Sequence, residues 1–300
     1  MNTAKAIPRW LQWGVYPSLL VLNLALVSFD ISEGSPGRHA GILSAFNVLS
    51  LMLLEYLYPM QQRWKMNWFS AKRDLFFMVI GIGSLIFSNW ALTAFAIAIA
   101  PKSGLLNNLS VIHGTLIAML VVQFFQYWLH RLLHESNGNV GRIAWRVHRA
   151  HHVLEKVYVL MHVRAHPVDA FLTRLVFILP LTLLGINANA LYAMSIIVGL
   201  QGLISHLNVD LRAGWMNYLL TGTELHRYHH SADAKEGKNY GAFLPIYDLI
   251  FGTFVYRPNQ APAELGVSQE DEGPDSSATL AHIVYPFRSE NAVSRASKYS

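Results

Sequence analysis

Three short histidine clusters carry the chemistry that can be read from this sequence. HRAHH supplies His148, His151 and His152, HRYHH supplies His226, His229 and His230, and HRLLH supplies His130 and His134. On a helix, positions i, i+3 and i+4 share a face, so each three-histidine copy is expected to aim its imidazoles at one point. With 14 histidines in 300 residues, chance gives about 0.03 occurrences of a given three-histidine pattern, so two copies are not an accident of composition. Eight convergent imidazoles indicate metal. His206, at the end of a long apolar stretch, is a ninth candidate, although a structural role suits a lone histidine as well. Neutral imidazole serves iron, zinc, copper or nickel, so ligand type leaves the metal open. Nine nitrogens exceed the four of one tetrahedral zinc, which favours two ions.

The elements that position these residues are membrane helices. Hydrophobic residues make up 53% of the chain and charged residues only 14%, against roughly 25% charged in a soluble domain. Apolar runs at Trp10–Phe29, Gly41–Tyr58, Leu75–Ala100 and Ser110–Leu129 each approach the ~20 residues that cross a bilayer. The first run is followed by SFDISEG, without an A-x-A-like cleavage site, and reads as an uncleaved anchor. Lys5 and Arg9 precede the first span, and Arg63, Lys65, Lys72 and Arg73 lie between the second and third. By the positive-inside rule the N-terminus is cytosolic, and four crossings return the chain to the cytosol where HRLLH begins. Two shorter apolar arms, Phe171–Leu184 and Leu191–Ser205, are joined by GINANA and are expected to form a short or re-entrant hairpin with both ends cytosolic.

The fold expected is therefore all-α: a polytopic membrane bundle of four full spans plus that hairpin, with a cytosolic His-rich cap. Residues 1–130 form the spans, 131–256 the His-rich region including the hairpin 171–205, and 257–300 a polar, acidic, partly disordered tail. The net charge of +5 is explained by juxtamembrane anchors facing anionic lipid, and no nucleic-acid motif is present. Zero Cys excludes disulfides, thiolate metal sites and iron–sulfur clusters. No GxGxxG for a flavin or nicotinamide is found, so electrons must come from a partner.

HRLLH, HRAHH, HRYHH and the trailing NYGAFLPIYDLIFGT resemble the fatty acid hydroxylase/sterol desaturase superfamily of membrane di-iron oxygenases, whose motifs run HxxxH, HxxHH and HxxHH before an Asn-Tyr-Gly and an Asp-x-hydrophobic-Phe-Gly-Thr segment. The likeness covers roughly Phe124 to Phe254. It implies that the eight clustered histidines bind two iron ions, which activate O2 to hydroxylate or desaturate a lipid C–H bond. His206, in SHLNVD, resembles the family's isolated ligand before the last cluster. Where some members carry a second His four residues further on, this chain has Asp210, which is expected to ligate, to hydrogen-bond a ligand, or to cap a helix. The resemblance also implies a membrane lipid substrate and an external donor, a ferredoxin or a b-type cytochrome with its reductase. A bacterial cytoplasmic membrane is expected over endoplasmic reticulum.

Around the clusters, His166 in RAHP is placed near the metals or orienting a ligand, Asn208 holding a metal-bound water, and Asp233 and Glu224 accepting from ligands. Asn239, Tyr240 and Gly241 read as a turn closing the last His helix. Asp248 is read as capping, pairing with an Arg, or accepting from a ligand N–H. His162 reads as structural, and His39, His113 and His282 as remote. Two other classes remain open at this level. A zinc hydrolase is disfavoured by the lack of HExxH, whose Glu would be the general base. A His-rich metal sensor or transporter predicts ligands strung along a path, whereas these gather at one side.

Overall fold

The computed structural model describes residues 6–99, 104–268 and 270–288; Lys5, Lys102 and residues 289–300 lie outside them. Six long helices dominate: α1 (Arg9–Ser32), α2 (Ala40–Leu57), α3 (Trp68–Ile99), α4 (Val111–Glu135), α6 (Pro167–Leu184) and α7 (Ala188–Ser205). All six are long and apolar enough to cross a membrane. Their outward faces carry large exposed apolar side chains such as Val21, Ile86 and Ile112, as lipid-facing helices do. Four short helices complete the architecture: α5 (Gly138–His152), α8 (Thr223–His229), α9 (Ile246–Phe251) and α10 (Thr279–Val284). No strand forms among the described residues, and the one isolated bridge joins Ser231 to Leu265. The protein is a polytopic, all-helical, integral membrane protein.

The arms of the hairpin are longer than their apolar runs. Each has 18 residues, about 27 Å at 1.5 Å per residue. Helix α6 starts in polar sequence because Pro167 occupies its first turn and His166 accepts from Val168 N, a start that hydropathy does not register. At the other end, Gly185 closes α6 with φ 61° and lies against Gly104, where a Cβ would come within 2.3 Å of the Gly104 Cα. Asn187 caps α7 by accepting from Ala190 N at 2.8 Å, and Leu106 N donates to Leu184 O at 3.0 Å. The hairpin tip thus reaches the α3–α4 connection and spans the same depth as those helices.

The opposite ends of the helices converge on the cap. Glu55 of α2 accepts from Val159 N at 2.9 Å and Asn208 N at 3.0 Å, and Gln12 of α1 binds Asp210 at 2.7 Å. Within the bundle, Asn23 and Asn47 exchange amide hydrogen bonds at 3.1 and 2.8 Å, a polar tie between α1 and α2.

The acidic stretch after Tyr256 is not free chain. Asp271 accepts from Arg149 Nε at 2.5 Å and Trp145 Nε1 at 2.9 Å on α5, and Gly266 N donates to His230 O at 3.0 Å. Helix α10 buries His282 beside Phe77 of α3, ring centroids 6.4 Å apart. The composition of this stretch signals solvation, but the Arg149–Asp271 ion pair with α5 and the Trp145 hydrogen bond hold it down.

Candidate metal centre

Four helix ends deliver nine imidazoles to one buried volume. His130 and His134 come from the last two turns of α4, and His148, His151 and His152 from the end of α5. His206 is the residue that closes α7, and His226, His229 and His230 ride on α8. Helix α8 has only 7 residues, too few to persist alone. Buried Arg227 binds the carbonyls of Leu207 and Val209, and Thr223 Oγ1 donates to Ile204 O at 2.9 Å.

The rings sort into two groups whose nitrogens lie within 4.8 Å of one another: His130, His134, His148, His152 and His229; and His151, His206, His226 and His230. The groups adjoin, with the His152 and His230 ring centroids 4.4 Å apart. Each three-histidine copy was expected to face one point, and each instead divides. His148 and His152 join the first group while His151 crosses to the second; His226 and His230 join the second while His229 crosses to the first. The reason is angular. Positions i and i+4 are 40° apart around a helix, whereas i+3 and i+4 are 100° apart, so the middle histidine points to the other flank.

Ring tautomers follow from the outward nitrogens. Nδ1 of His130 faces Tyr240 O at 2.9 Å, of His151 Arg164 O at 2.9 Å, of His206 Gly202 O at 3.0 Å, and of His229 Lys238 O at 2.9 Å. Nδ1 of His148 faces Asp169 Oδ2 at 2.8 Å. Each partner only accepts, so each Nδ1 carries the proton and each Nε2 presents a lone pair. Yet Nε2 of His130 faces Nε2 of His148 at 3.0 Å, and Nε2 of His151 faces Nε2 of His206 at 3.1 Å. Two lone pairs at that distance repel. Nε2 of His134 and of His229 are buried with no partner at all. Bare donors converging in pairs, with their outer nitrogens fixed by acceptors, fit a cation between them in each group.

Burial enforces neutrality. It pushes His151 down to about 3, with the neighbouring His148 ring adding to the effect. His152, His206, His226, His229 and His230 lie well below the ordinary imidazole range, burial again first and neighbouring rings second. Neutral rings are the form that ligates.

The other residues expected near the site fall elsewhere. His166 caps α6 and its Nε2 donates to Ile283 O at 3.0 Å. Asn208 clamps the backbone of Gln61, donating and accepting at 3.0 Å. Asp210 pairs with Arg212 at 2.9 Å, and Glu224 accepts from Arg212, Ala213 N and Asn217. Asp233 accepts from Lys235 N in its own turn at 2.8 Å. None of these touches a clustered ring. Asn239, at φ 59°, ties Leu225 O on α8 to the Val255 backbone. Asp248 accepts from Tyr240 N at 2.7 Å and Gly241 N at 2.8 Å, which steadies the peptide whose carbonyl holds His130. His162 stands behind His206, centroids 5.4 Å apart. The carboxylate that does touch a ring is Asp169, three residues past His166, unremarked in the sequence because one acidic residue in a first helical turn is commonplace.

A cleft of about 270 Å³ opens onto His134, His152 and His229 between Trp145, Lys238 and Val267. It gives the five-histidine group a route to the polar side.

Residues 115–253 match the fatty acid hydroxylase family. The chain is 25% identical over 283 residues to ornithine lipid hydroxylase OlsE of Rhizobium tropici, covering 91% of this chain and 83% of that protein. It is 33% identical over 146 residues to alkylglycerol monooxygenase of Homo sapiens, covering 46% of this chain and 29% of that one. It is 29% identical over 190 residues to very-long-chain aldehyde decarbonylase GL1-7 of Oryza sativa subsp. japonica, covering 58% of this chain and 28% of the relative. The chain therefore spans under a third of the latter two. No solved structure matches it.

Proposed function

Residues 115–253 match the fatty acid hydroxylase family, and we propose that the chain is a lipid-oxidising oxidoreductase, a di-iron, O2-dependent lipid hydroxylase. The nine histidines are its metal ligands, five at one ion and four at the other. The observation that carries the reading is the pair of Nε2–Nε2 contacts, His130 with His148 and His151 with His206, in which neither nitrogen has a proton to give. Bound iron would supply the one-electron chemistry and the O2 activation that breaking an aliphatic C–H bond demands, which redox-inert zinc does not offer.

The chain's own groups bind and orient. Backbone carbonyls of Tyr240, Arg164, Gly202 and Lys238 hold the Nδ1 protons and set the ring planes. Asp169 does so for His148 and sets a negative charge against that ligand. The apolar cluster of α4, α6 and α7, with Phe243 against Met119, Val122 and Met194, shields the membrane side from water. A lipid chain approaches from that side, while an external reductant delivers electrons at the polar cleft. The cap faces the cytosol, since the basic residues Arg131, Arg142, Arg146 and Arg149 lie around it.

A zinc hydrolase finds less support: the carboxylate beside the rings, Asp169, is engaged on the outward nitrogen of His148 and is not placed as a general base. The test is metal content and product together. Purified protein should hold about two iron ions per chain, and lipids from cells with the gene should gain 16 mass units over cells without it. Two tightly bound zinc ions with no redox response would sink the proposal.

A further inference from the structure

Arg174 lies deep in α6, seven residues beyond Pro167 and ten before Leu184, so its Cα is about 10 Å from one end of the span and about 15 Å from the other. Among the described residues it has no hydrogen-bond or ion-pair partner. Asp169, the nearest carboxylate on its own helix, is committed to His148. An ionised side chain at this depth is costly unless something compensates it.

Arg174 lines a cavity of about 370 Å³ between α3, α6 and α7. Of the α6 residues in its wall, Arg174 is nearest the cap, and the cavity runs away from it towards the α6–α7 turn. Phe177 and Met194 make the wall apolar, and the hydroxyls of Thr93, Thr182 and Ser195 punctuate it. Among the described residues, no carboxylate lines it. A volume of this size is that of a small-molecule site. An apolar trough with one unmatched cation is complementary to an amphiphile with one anionic group, and the planar fork of an Arg suits a carboxylate or a phosphate.

We propose that this cavity is a binding site for an anionic lipid, whose carboxylate or phosphate pairs with Arg174 and whose chain lies along Phe177 and Met194. A neutral lipid would leave the charge unmatched, and a free inorganic anion would leave the apolar wall empty. The assignment is independent of the metal reading and holds for a site either occupied or free of iron.

Binding to the full chain in phosphatidylcholine nanodiscs tests it, with palmitate and hexadecanol as probes of equal chain length and phosphatidylglycerol as competitor. The wild type should take palmitate about tenfold more tightly than the alcohol, the scale of one charge-assisted contact. Arg174→Gln should abolish the preference and Arg174→Lys should keep part of it. Competition by phosphatidylglycerol assigns the group to a phospholipid phosphate; its failure to compete assigns it to a fatty-acid carboxylate. Without added lipid, Arg174→Gln should melt no lower than the wild type, because no hydrogen bond or ion pair to the protein is lost. Equal binding of acid and alcohol, a preference surviving in Arg174→Gln, or a large fall in its melting temperature would each overturn the proposal.

Discussion

Asp169 Oδ2 accepts from His148 Nδ1 at 2.8 Å, joining the first turn of α6 to the end of α5 across 21 residues. The carboxylate fixes the tautomer and the orientation of a ring in the five-histidine group. Asp169→Ala should weaken metal retention by that group about 10–100-fold, the usual effect of losing such an orienting partner. Chelator titration of the purified protein should show metal leaving at a lower chelator concentration than in the wild type.

The unequal groups predict unequal mutants. His151→Ala leaves three donors where there were four, and His152→Ala leaves four where there were five. Four nitrogens still complete a tetrahedral set, whereas three leave a position to water. Elemental analysis should therefore find more metal lost from His151→Ala than from His152→Ala. Equal losses would mean that the two groups are assigned wrongly.

Acid should destabilise the metal-free protein. In the folded state burial holds His151 down to about 3 and the neighbouring rings well below their ordinary value, while an unfolded chain titrates near 6.5. Between those limits the unfolded state binds more protons, so folding stability falls as pH drops below about 6.5 and goes on falling towards about 3. Melting temperatures of chelator-treated protein at pH 8, 6 and 5 should decrease in that order.

Glu55 matters for a different reason. Its carboxylate accepts the backbone N–H of Val159 and of Asn208, holding the segments that follow α5 and α7. Glu55→Ala strands two buried donors at about 1–3 kcal/mol each, and the thermal midpoint should fall accordingly. Glu55→Gln keeps an acceptor and should lose less.

Periodicity made the four outer spans and the three clusters legible, because apolar runs and i, i+3, i+4 spacings are local properties. The first arm of the hairpin read four residues too short and the second three, since capping by His166 and Pro167, and by Asn187, is local but not apolar. Which ring joins which group was not legible: it depends on how α5 and α8 approach, a tertiary fact. Asn208 and Asp210 drew attention by lying close to His206, yet Asn208 faces the backbone of Gln61 and Asp210 the side chain of Arg212. Asp169 drew none, because 21 residues separate it from the ring it serves.

The crossed assignment of the two HRxHH copies links the ions to each other. Helices α5 and α8 each lend two rings to one group and one to the other, so neither group is complete until both helices are docked. The first ion to bind therefore anchors scaffolding that the second also needs, and loading becomes cooperative. Singly charged-up protein should be scarce at any iron supply, with empty and fully loaded molecules sharing the population.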